Sequence, residues 1–251
     1  MKNLLKKYLK KKGFISKSDL KYYTDINLNF INGFISNYFL LLKKKEISII
    51  HVGCHRLLSG DPLRIFYETN YKNCKAVLID GIKENIEYLK KNKNHYKNFT
   101  FLNCVIGNKK KQYFYKFSKK FYEYAKKHKL NYNDGLSSFS DKKLKEYLKN
   151  NFDLSDLDYI DSFEVEPISI DKIIKIHFNN ENIDFLQIDA EGYDDDIIYS
   201  ANLEKNNINF INFESKHLGV KKEKIFNYLK KNNFSILEYS KSDALAFRKI
   251  L

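Results

Sequence analysis

The hydrophobic residues of the chain change their spacing near residue 46. Before that point they recur at helical intervals among lysines, as at Phe30, Ile31, Phe34 and Ile35. That spacing predicts amphipathic helices over residues 1–45, a helical extension ahead of the main domain. A basic amphipathic segment can lie on a membrane, but we expect these helices to pack on their own domain or on a second subunit, which leaves a homodimer open.

From Ile47 onward, short apolar runs rich in β-branched residues alternate with helical stretches. The runs predict buried strands at 47–52, 74–80, 99–107, 183–189 and 207–215. Helical patterns fall between and after them, at 62–71, 83–92, 171–178, within 190–201, and at 221–232. This alternation is typical of a parallel sheet with helices packed on its faces. The last two runs, 234–240 and 243–249, predict an antiparallel hairpin.

Residues 108–160 interrupt the alternation. They contain an additional strand pattern at 111–117, lysine-rich helical stretches and the polar loop "NYNDGLSSFSD", and a further strand pattern follows at 163–170. We interpret 108–160 as an insertion over the ligand-binding edge of the sheet and not as a separate domain. No internal repeat or linker rich in proline and glycine divides the chain, so we expect residues 46–251 to form one domain.

Length and composition fit one large α/β domain with appendages or two small domains, and they raise the question of an anionic partner. The 251 residues, 43% of them hydrophobic, are enough to bury a core. The net charge of +14 comes from lysines spread along the whole chain. It indicates either a general bias towards lysine or attraction to an anion, such as nucleic acid, a membrane surface, or a phosphorylated or acidic sugar substrate.

Cysteine usage and the length of the apolar runs bear on the compartment. Cys54, Cys74 and Cys104 are widely spaced and include no CxxC pair, which argues against a disulfide framework and fits a reducing cytoplasm. The longest apolar run, around Asn37–Leu42, is far shorter than a membrane span, and the N-terminal apolar stretches are too short for a signal peptide. We therefore expect a cytoplasmic protein with no membrane span.

The residues that can carry chemistry fall where the predicted strands end. Ligands of open parallel sheets bind beyond the carboxyl ends of the strands. The residues at these ends are Gly53, Asp80, Asn103, Cys104, Asp189, Glu191 and Glu214. Gly53 would let a ligand approach the backbone closely, and Asp80 is placed to accept hydrogen bonds from two ribose hydroxyls. A GxGxxG fingerprint is absent, so a nucleoside without a pyrophosphate is the better fit.

Seven blocks of sequence resemble one family in order and spacing. They are "IIHVGCH", "AVLIDG", "LNCVIGN", "GLSSFS", "ISIDKII", "DFLQIDAEGYDDDIIYSA" and "INFES", and together they cover roughly residues 46–248. These blocks are similar to those of FkbM-type S-adenosylmethionine-dependent methyltransferases. The resemblance implies a Rossmann-like class I methyltransferase fold, with a mostly parallel seven-stranded sheet, a C-terminal antiparallel hairpin and helices on both faces. It also implies O-methylation of a hydroxyl group on a sugar, a glycan precursor or a secondary metabolite, as in the biosynthesis of capsular or other surface polysaccharide.

The resemblance further assigns roles to residues of this chain. Gly53 is similar to the family's glycine beneath the amino-acid end of S-adenosylmethionine, and Asp80 stands where an acidic residue holds the ribose. From their positions we also expect His55 to contact the cofactor carboxylate, Gly81 to bind the cofactor, and Cys54 to be a small buried residue near the cofactor floor. The resemblance places Asn103 and Cys104 near the adenine, Ser137 and Ser138 over the pocket, and Asp189 and Glu191 close to the transferred methyl group. The chain departs from the family at three points: His51 stands where an acidic residue is usual, the loop after His55 is longer, and Gly81 replaces a common proline.

A hydroxyl acceptor must lose its proton during methyl transfer. Our candidates for the base are Asp189, then Glu191, then His217. The alternative is that the two carboxylates only cap the following helix and bind the cofactor, since acidic residues suit a helix N-terminus. We expect no zinc site at His51, Cys54 and His55, because no second cluster completes it. Mg²⁺ or Ca²⁺ near Asp189, Glu191 and Glu214 stays unassigned.

Two other functions remain open. The basic charge is compatible with a nucleic-acid methyltransferase or a basic RNA-binding module. Methyltransferases that act on amino groups usually carry an Asn/Asp-Pro-Pro-Tyr/Phe motif after the fourth strand, whereas "DAEGY" stands here. This difference disfavours a nucleic-acid substrate, and we expect a small or saccharide acceptor, with an anionic one compatible with the charge. A binding module without catalytic activity is the third alternative.

Overall fold

The computed structural model describes residues 26–41, 46–58, 60–108, 110–132, 135–155 and 157–248. The strands of the main sheet are β1 (Ile47–Val52), β2 (Cys74–Asp80), β3 (Phe99–Asn103), β7 (Ile183–Ile188), β8 (Ile208–Glu214), β9 (Phe234–Glu238) and β10 (Asp243–Arg248). A smaller sheet contains β4 (Gln112–Phe117), β5 (Ser137–Ser138) and β6 (Ile160–Val165). The helices are α1 (Ile26–Leu41), α2 (Arg64–Asn70), α3 (Lys83–Asn92), α4 (Lys119–Lys127), α5 (Asp141–Phe152), α6 (Ile170–Phe178), α7 (Asp194–Ser200) and α8 (Lys222–Lys231).

The main sheet has seven strands in the order β3-β2-β1-β7-β8-β10-β9. Pairing is parallel from β3 through β8, and β10 pairs antiparallel with both β8 and β9. The order reverses between β1 and β7, so the carboxyl ends of these strands open a crevice at the switch point. The predicted mostly parallel seven-stranded sheet with a C-terminal antiparallel hairpin is confirmed.

Helices cover both faces of this sheet because successive side chains of its strands point to opposite sides. In β1, Ile47 and Ile49 belong to one core cluster, whereas Ile50 and Val52 belong to the other. Helices α1, α2 and α3 pack on the first cluster, and α6, α7 and α8 pack on the second. Burial on both faces explains why the parallel strands read as continuous apolar runs in the sequence.

Helix α1 packs on the domain that follows it. Ile31, Ile35 and Tyr38 are buried in the first core cluster, and the Tyr38 hydroxyl donates a hydrogen bond to Oδ1 of the buried Asp184, at 3.1 Å. The predicted apolar face of this helix therefore contacts its own domain. The rest of the helical extension, residues 1–25 and 42–45, lies outside the described residues. No helix in the described ranges is both long and apolar enough to cross a bilayer.

The smaller sheet is antiparallel, with the strand order β5-β4-β6, and it has a core of its own. That core is formed largely by aromatic and leucine side chains of α4, α5 and the strands, namely Phe117, Phe121, Ala125, Leu136, Leu144, Leu148 and Tyr159. The predicted strand at 111–117 is confirmed as β4. Most of this unit belongs to the segment that interrupts the alternation in the sequence, and β6 continues it to Val165.

Two predicted strands were too long at their C-terminal ends. The strand predicted at 163–170 is β6, which ends at Val165, because Pro167 has no N–H to donate to a ladder and Ser169 caps α6 through its hydroxyl. The strand predicted to reach residue 107 ends at Asn103. Beyond it, Ile106 forms only an isolated bridge with Ile168 where the chain enters the smaller sheet.

Candidate functional site

A cavity of about 280 Å³ opens at the carboxyl ends of β1, β2, β3 and β7, under the smaller sheet. Of the residues predicted to form a site, those lining it are Gly53, His55, Asp80, Gly81, Cys104, Ser137, Ser138, Asp189 and Glu191. The smaller sheet also contributes Phe114 and Phe139, and Tyr193 precedes α7. The cavity thus lies at the strand-order reversal, where parallel sheets bind ligands.

Gly53 is the point where three strand ends meet. Its φ of +75° is unfavourable for a residue with a side chain, and a Cβ there would overlap the backbone oxygen of Asp189. Its N–H donates to the oxygen of Ile79 at 2.9 Å, while the N–H of Asp189 donates to the oxygen of Val52 at 3.0 Å. Glycine at this position therefore allows the ends of β1, β2 and β7 to close on one another.

The Asp80 carboxylate is held in place by the loops around it. Oδ1 accepts hydrogen bonds from the Ile82 N–H at 2.8 Å and the Asn85 side chain at 3.1 Å, and Oδ2 accepts one from the His55 N–H at 2.8 Å. Burial raises the pKa of this carboxyl, and these donors oppose the rise. A carboxylate has about four acceptor positions, so roughly one remains for a ligand hydroxyl.

The loop after β7 carries the predicted catalytic carboxylates. Asp189 is exposed to the cavity, but desolvation by the protein around its carboxyl group and the nearby charges of Glu191 and Glu214 raise its pKa to about 7. Glu191 adopts a left-handed conformation with a φ of 53°. The Lys143 ammonium, on α5, donates to the backbone oxygen of Glu191 and lies 3.5 Å from its Oε2. The loop is therefore held against the smaller sheet.

Asp189 and Glu191 do not cap the helix that follows them, whereas their binding of the cofactor stays a prediction. Helix α7 begins at Asp194 and has no side-chain cap at Tyr193. The buried carboxylate of Asp194 instead accepts hydrogen bonds from the N–H groups of Gly192, at 3.2 Å, and Glu214, at 3.1 Å. Asp194 supports the loop, and this leaves Asp189 and Glu191 on the cavity wall.

Three of the predicted site residues are not part of the cavity wall. Cys54 is fully buried behind it. Asn103 is exposed, and its side-chain amide donates to the backbone oxygen of Asp80 at 3.0 Å, which braces the ends of β2 and β3. His217 lies in the turn after β8, with Nε2 at 3.4 Å from Oε1 of Glu214. The cavity wall therefore lacks Cys54, Asn103 and His217, and also Glu214, although His217 and Glu214 lie beside Glu191 at its edge.

His51 belongs to a buried group that the sequence did not reveal. Its Nδ1 lies 3.4 Å from the Tyr67 hydroxyl, and its Nε2 lies 3.5 Å from Oδ2 of Asp61. Burial lowers the pKa of His51 to about 3 and raises that of Asp61 to about 7. Because burial disfavours both charged forms, a neutral imidazole beside a carboxylic acid is favoured. His51 and Asp61 line the cavity floor.

No pattern in the sequence marked Asp61 or Asn85 as site residues. Asp61 lies in an irregular loop ten residues after His51, and Asn85 lies in the first turn of α3. Only the tertiary structure brings them to His51 and Asp80. Among the described residues, the one group with the donors and spacing for a metal ion is Glu191, Glu214 and His217. Within the described part of the chain, His51, Cys54 and His55 do not form such a group.

The model of the methyltransferase FkbM domain family matches residues 51–236. No curated protein matches the chain. Among solved structures, the chain is similar to the N-methyltransferase NodS from Bradyrhizobium japonicum WM9, at 9% identity and a TM-score of 0.40, over 89% of this chain and 97% of that one. A SAM dependent methyltransferase from Aquifex aeolicus gives 11% identity, a TM-score of 0.39, and coverage of 93% and 97%.

The family match spans most of the chain and includes every strand end that lines the cavity. The observed sheet is mostly parallel, with seven strands in the order β3-β2-β1-β7-β8-β10-β9 and an antiparallel C-terminal pair. The chain has a class I methyltransferase fold and belongs to the FkbM methyltransferase family.

Proposed function

We propose that the protein is a cytoplasmic S-adenosylmethionine-dependent O-methyltransferase that acts on a hydroxyl of a sugar, a glycan precursor or another small polar acceptor. Surface polysaccharide or secondary-metabolite biosynthesis would use such a product. The observation that carries the proposal is the position of Asp189. This residue lies on the wall of a cavity formed by the strand ends of a methyltransferase fold, and its backbone lies against Gly53.

The residues around the cavity fit an adenosine-bearing cofactor. Asp80 retains acceptor capacity for one ribose hydroxyl, and Gly81 and Cys104 line the wall beside it. We assign Gly53 and His55 to the amino-acid end, because both lie at the end of β1 on the same wall. When bound, S-adenosylmethionine supplies an electrophilic methyl group.

The opposite wall suits a ring-shaped acceptor. The rings of Phe139 and Tyr193 lie 4.7 Å apart between centroids, and Phe114 lies 5.3 Å from Phe139. Aromatic rings bind apolar faces, while Asp189 and Glu191 provide acceptors for hydroxyl groups. Asp189 is the residue we assign to accept the proton that the acceptor hydroxyl releases as it is methylated.

The acidic lining separates this proposal from the nucleic-acid alternative. The cavity wall carries the carboxyl groups of Asp61, Asp80, Asp189 and Glu191, and none of its described residues is lysine or arginine. Affinity for a nucleic-acid backbone comes mainly from lysine and arginine contacts to its phosphates. The net charge of +14 is therefore carried elsewhere on the molecule, and the lining favours an acceptor without phosphate.

Calorimetric titration with S-adenosylmethionine and S-adenosylhomocysteine tests the cofactor. We expect micromolar binding of both, weakened more than about tenfold in Asp80→Ala because a buried polar contact to the ribose is lost. Asp161→Ala, an exposed carboxylate on β6, is the matched control and should bind as the wild type does. If the wild type binds neither ligand, the proposed function is wrong.

Transfer of labelled methyl groups to a panel of sugars and sugar phosphates tests the acceptor and the base. Asp189→Asn keeps the shape of the side chain but cannot accept the proton, so transfer should fall about 100-fold or more. Cofactor affinity should stay within a few-fold of wild type. Unchanged transfer in Asp189→Asn would remove this residue from the mechanism.

A further inference from the structure

Glu191, Glu214 and His217 converge at the side of the cavity from two different segments. Glu191 belongs to the loop after β7, Glu214 ends β8, and His217 lies in the following turn. One carboxylate oxygen of each glutamate and one imidazole nitrogen all lie within 4.8 Å of one another. Small rotations of these side chains would bring all three donors to ordinary coordination distances, about 2.0–2.2 Å, from a single ion.

Backbone geometry brings the two segments this close. Gly192, with a φ of 92°, faces the backbone of His217, and a Cβ on it would lie 3.2 Å from the His217 oxygen. The Glu214 N–H donates to Asp194 across the same gap. The donor set is therefore built by contacts between the loop after β7 and the end of β8, and it does not depend on flexible side chains at a distant surface.

We propose that Glu191, Glu214 and His217 form a binding site for a divalent first-row transition metal ion such as Mn²⁺. The two carboxylates suit Mn²⁺ as well as Mg²⁺ and Ca²⁺, whereas the imidazole favours a transition metal over Mg²⁺ and Ca²⁺, which prefer all-oxygen ligand sets. Cation binding does not depend on the proposed methyl transfer. The role that we give the cation does rest on that function: it would hold an acceptor hydroxyl next to Asp189 and make its proton easier to remove.

The Lys143 ammonium competes with a bound cation for the carboxylate of Glu191. Its ammonium lies 3.5 Å from Oε2 of Glu191, and a divalent cation on Glu191 would be repelled by it. The site therefore predicts an effect that folding damage cannot mimic: replacing Lys143 by an uncharged residue should strengthen cation binding. Lys142, the neighbouring residue on α5, is exposed and pairs with Glu146, so it serves as the matched control.

Titration of the full-length protein with Mn²⁺ alone, followed by the loss of the free-ion electron paramagnetic resonance signal, tests the proposal. We expect one Mn²⁺ per chain, weakened more than about tenfold in Glu214→Gln and in His217→Gln. Lys143→Met should bind about fivefold more tightly. Lys142→Met and His177→Gln, whose imidazole lies on α6, should match the wild type. Circular dichroism confirms that each variant is folded.

Three results would overturn the site: no Mn²⁺ binding by the wild type, binding that Glu214→Gln and His217→Gln leave unchanged, or no gain in Lys143→Met. A separate titration with S-adenosylmethionine keeps the two proposals distinguishable. Cofactor binding without Mn²⁺ binding would leave the methyltransferase proposal standing and remove the metal site. Mn²⁺ binding without cofactor binding would leave the metal site standing and remove the methyltransferase proposal.

Discussion

At the scale of single residues, the cavity depends on positions where a side chain is either excluded or fixed. Gly53 is the clearest case, because the backbone of Asp189 occupies the space that a Cβ would need. Asp80 is fixed by three donors from two loops. The site is thus organised by the chain itself, and a ligand would meet groups that are already oriented.

The Gly53 contact predicts a large effect from one methyl group. Gly53→Ala should lower the free energy of unfolding by more than about 2 kcal/mol, because a left-handed backbone disfavours alanine and the loop at Asp189 must move. Gly33→Ala is the control: it lies in α1, and among the described residues no atom beyond its chain neighbours and the backbone of the helix lies within 4 Å of the position that a Cβ would take. There alanine should stabilise by about 0.5–1 kcal/mol. Chemical denaturation of both variants measures the difference. Equal stabilities would contradict the close contact.

At the scale of elements, the main sheet and the smaller sheet have separate cores. Phe121 is fully buried within the smaller unit, and Phe185 is buried in the main sheet. A small core buries less apolar surface, so it contributes less stability than the main one. The acceptor-side wall of the cavity therefore comes from the less stable part of the structure.

Hydrogen exchange should separate the two cores. Phe121→Ala removes a large buried side chain and should cost about 3–5 kcal/mol locally. Exchange should accelerate in β4, β6, α4 and α5, while β1 and β7 keep their protection. Phe185→Ala, the reciprocal variant, should accelerate exchange throughout the chain. Uniform loss of protection in Phe121→Ala would show that the two cores unfold as one.

The elements were predictable where burial dictates composition, and the site was predictable only in part. Strand β2 was placed to within a residue or two, since a strand buried on both faces must be apolar throughout. The helix α3 that follows it was placed equally well. The strand predicted at 163–170 was misplaced because the apolar pattern continues past Pro167, which has no N–H to donate to a neighbouring strand. Asp61 lies in an irregular loop, and the helical pattern that contains Asn85 does not single it out, so only folding brings these residues to His51 and Asp80.

At the scale of the whole molecule, charge is distributed unevenly. The chain carries a net charge of +14, yet four carboxyl groups and no described cation line the cavity. Many lysines form exposed pairs one helical turn apart, such as Lys83 with Glu87, and such pairs add little stability. The groups whose ionisation matters for stability are instead the buried ones, above all His51 and Asp61.

The pair of His51 and Asp61 predicts opposite pH dependences for two variants. The folded state lowers the pKa of His51 to about 3 and raises that of Asp61 to about 7. Between pH 4 and 6.5 the folded and unfolded states then hold the same number of protons on the pair, so its effects cancel. In His51→Gln only Asp61 still titrates, and the free energy of unfolding relative to wild type should fall as pH rises from about 4 to 7. In Asp61→Asn only His51 still titrates, and the free energy of unfolding should fall as pH drops below about 6.5.

Urea unfolding at half-unit intervals of pH measures both trends, with slopes of up to about 1.4 kcal/mol per pH unit. Arg64 also acts on Asp61 and slightly lowers its pKa, so it should be kept unchanged in both variants. Parallel curves for the two variants would contradict the neutral pair.

The two ends of the smaller unit leave the main sheet side by side. The Gly107 N–H donates to the oxygen of Ile168 at 3.1 Å, and the Ile168 N–H donates to the oxygen of Val105 at 2.9 Å. The roughly sixty residues between them fold on their own core and return to their starting point. A segment whose two ends lie side by side can be lengthened, trimmed or exchanged without displacing the strands that hold Gly53 and Asp80. Evolution or a protein engineer could therefore replace the acceptor wall as a cassette while the cofactor wall stays unchanged.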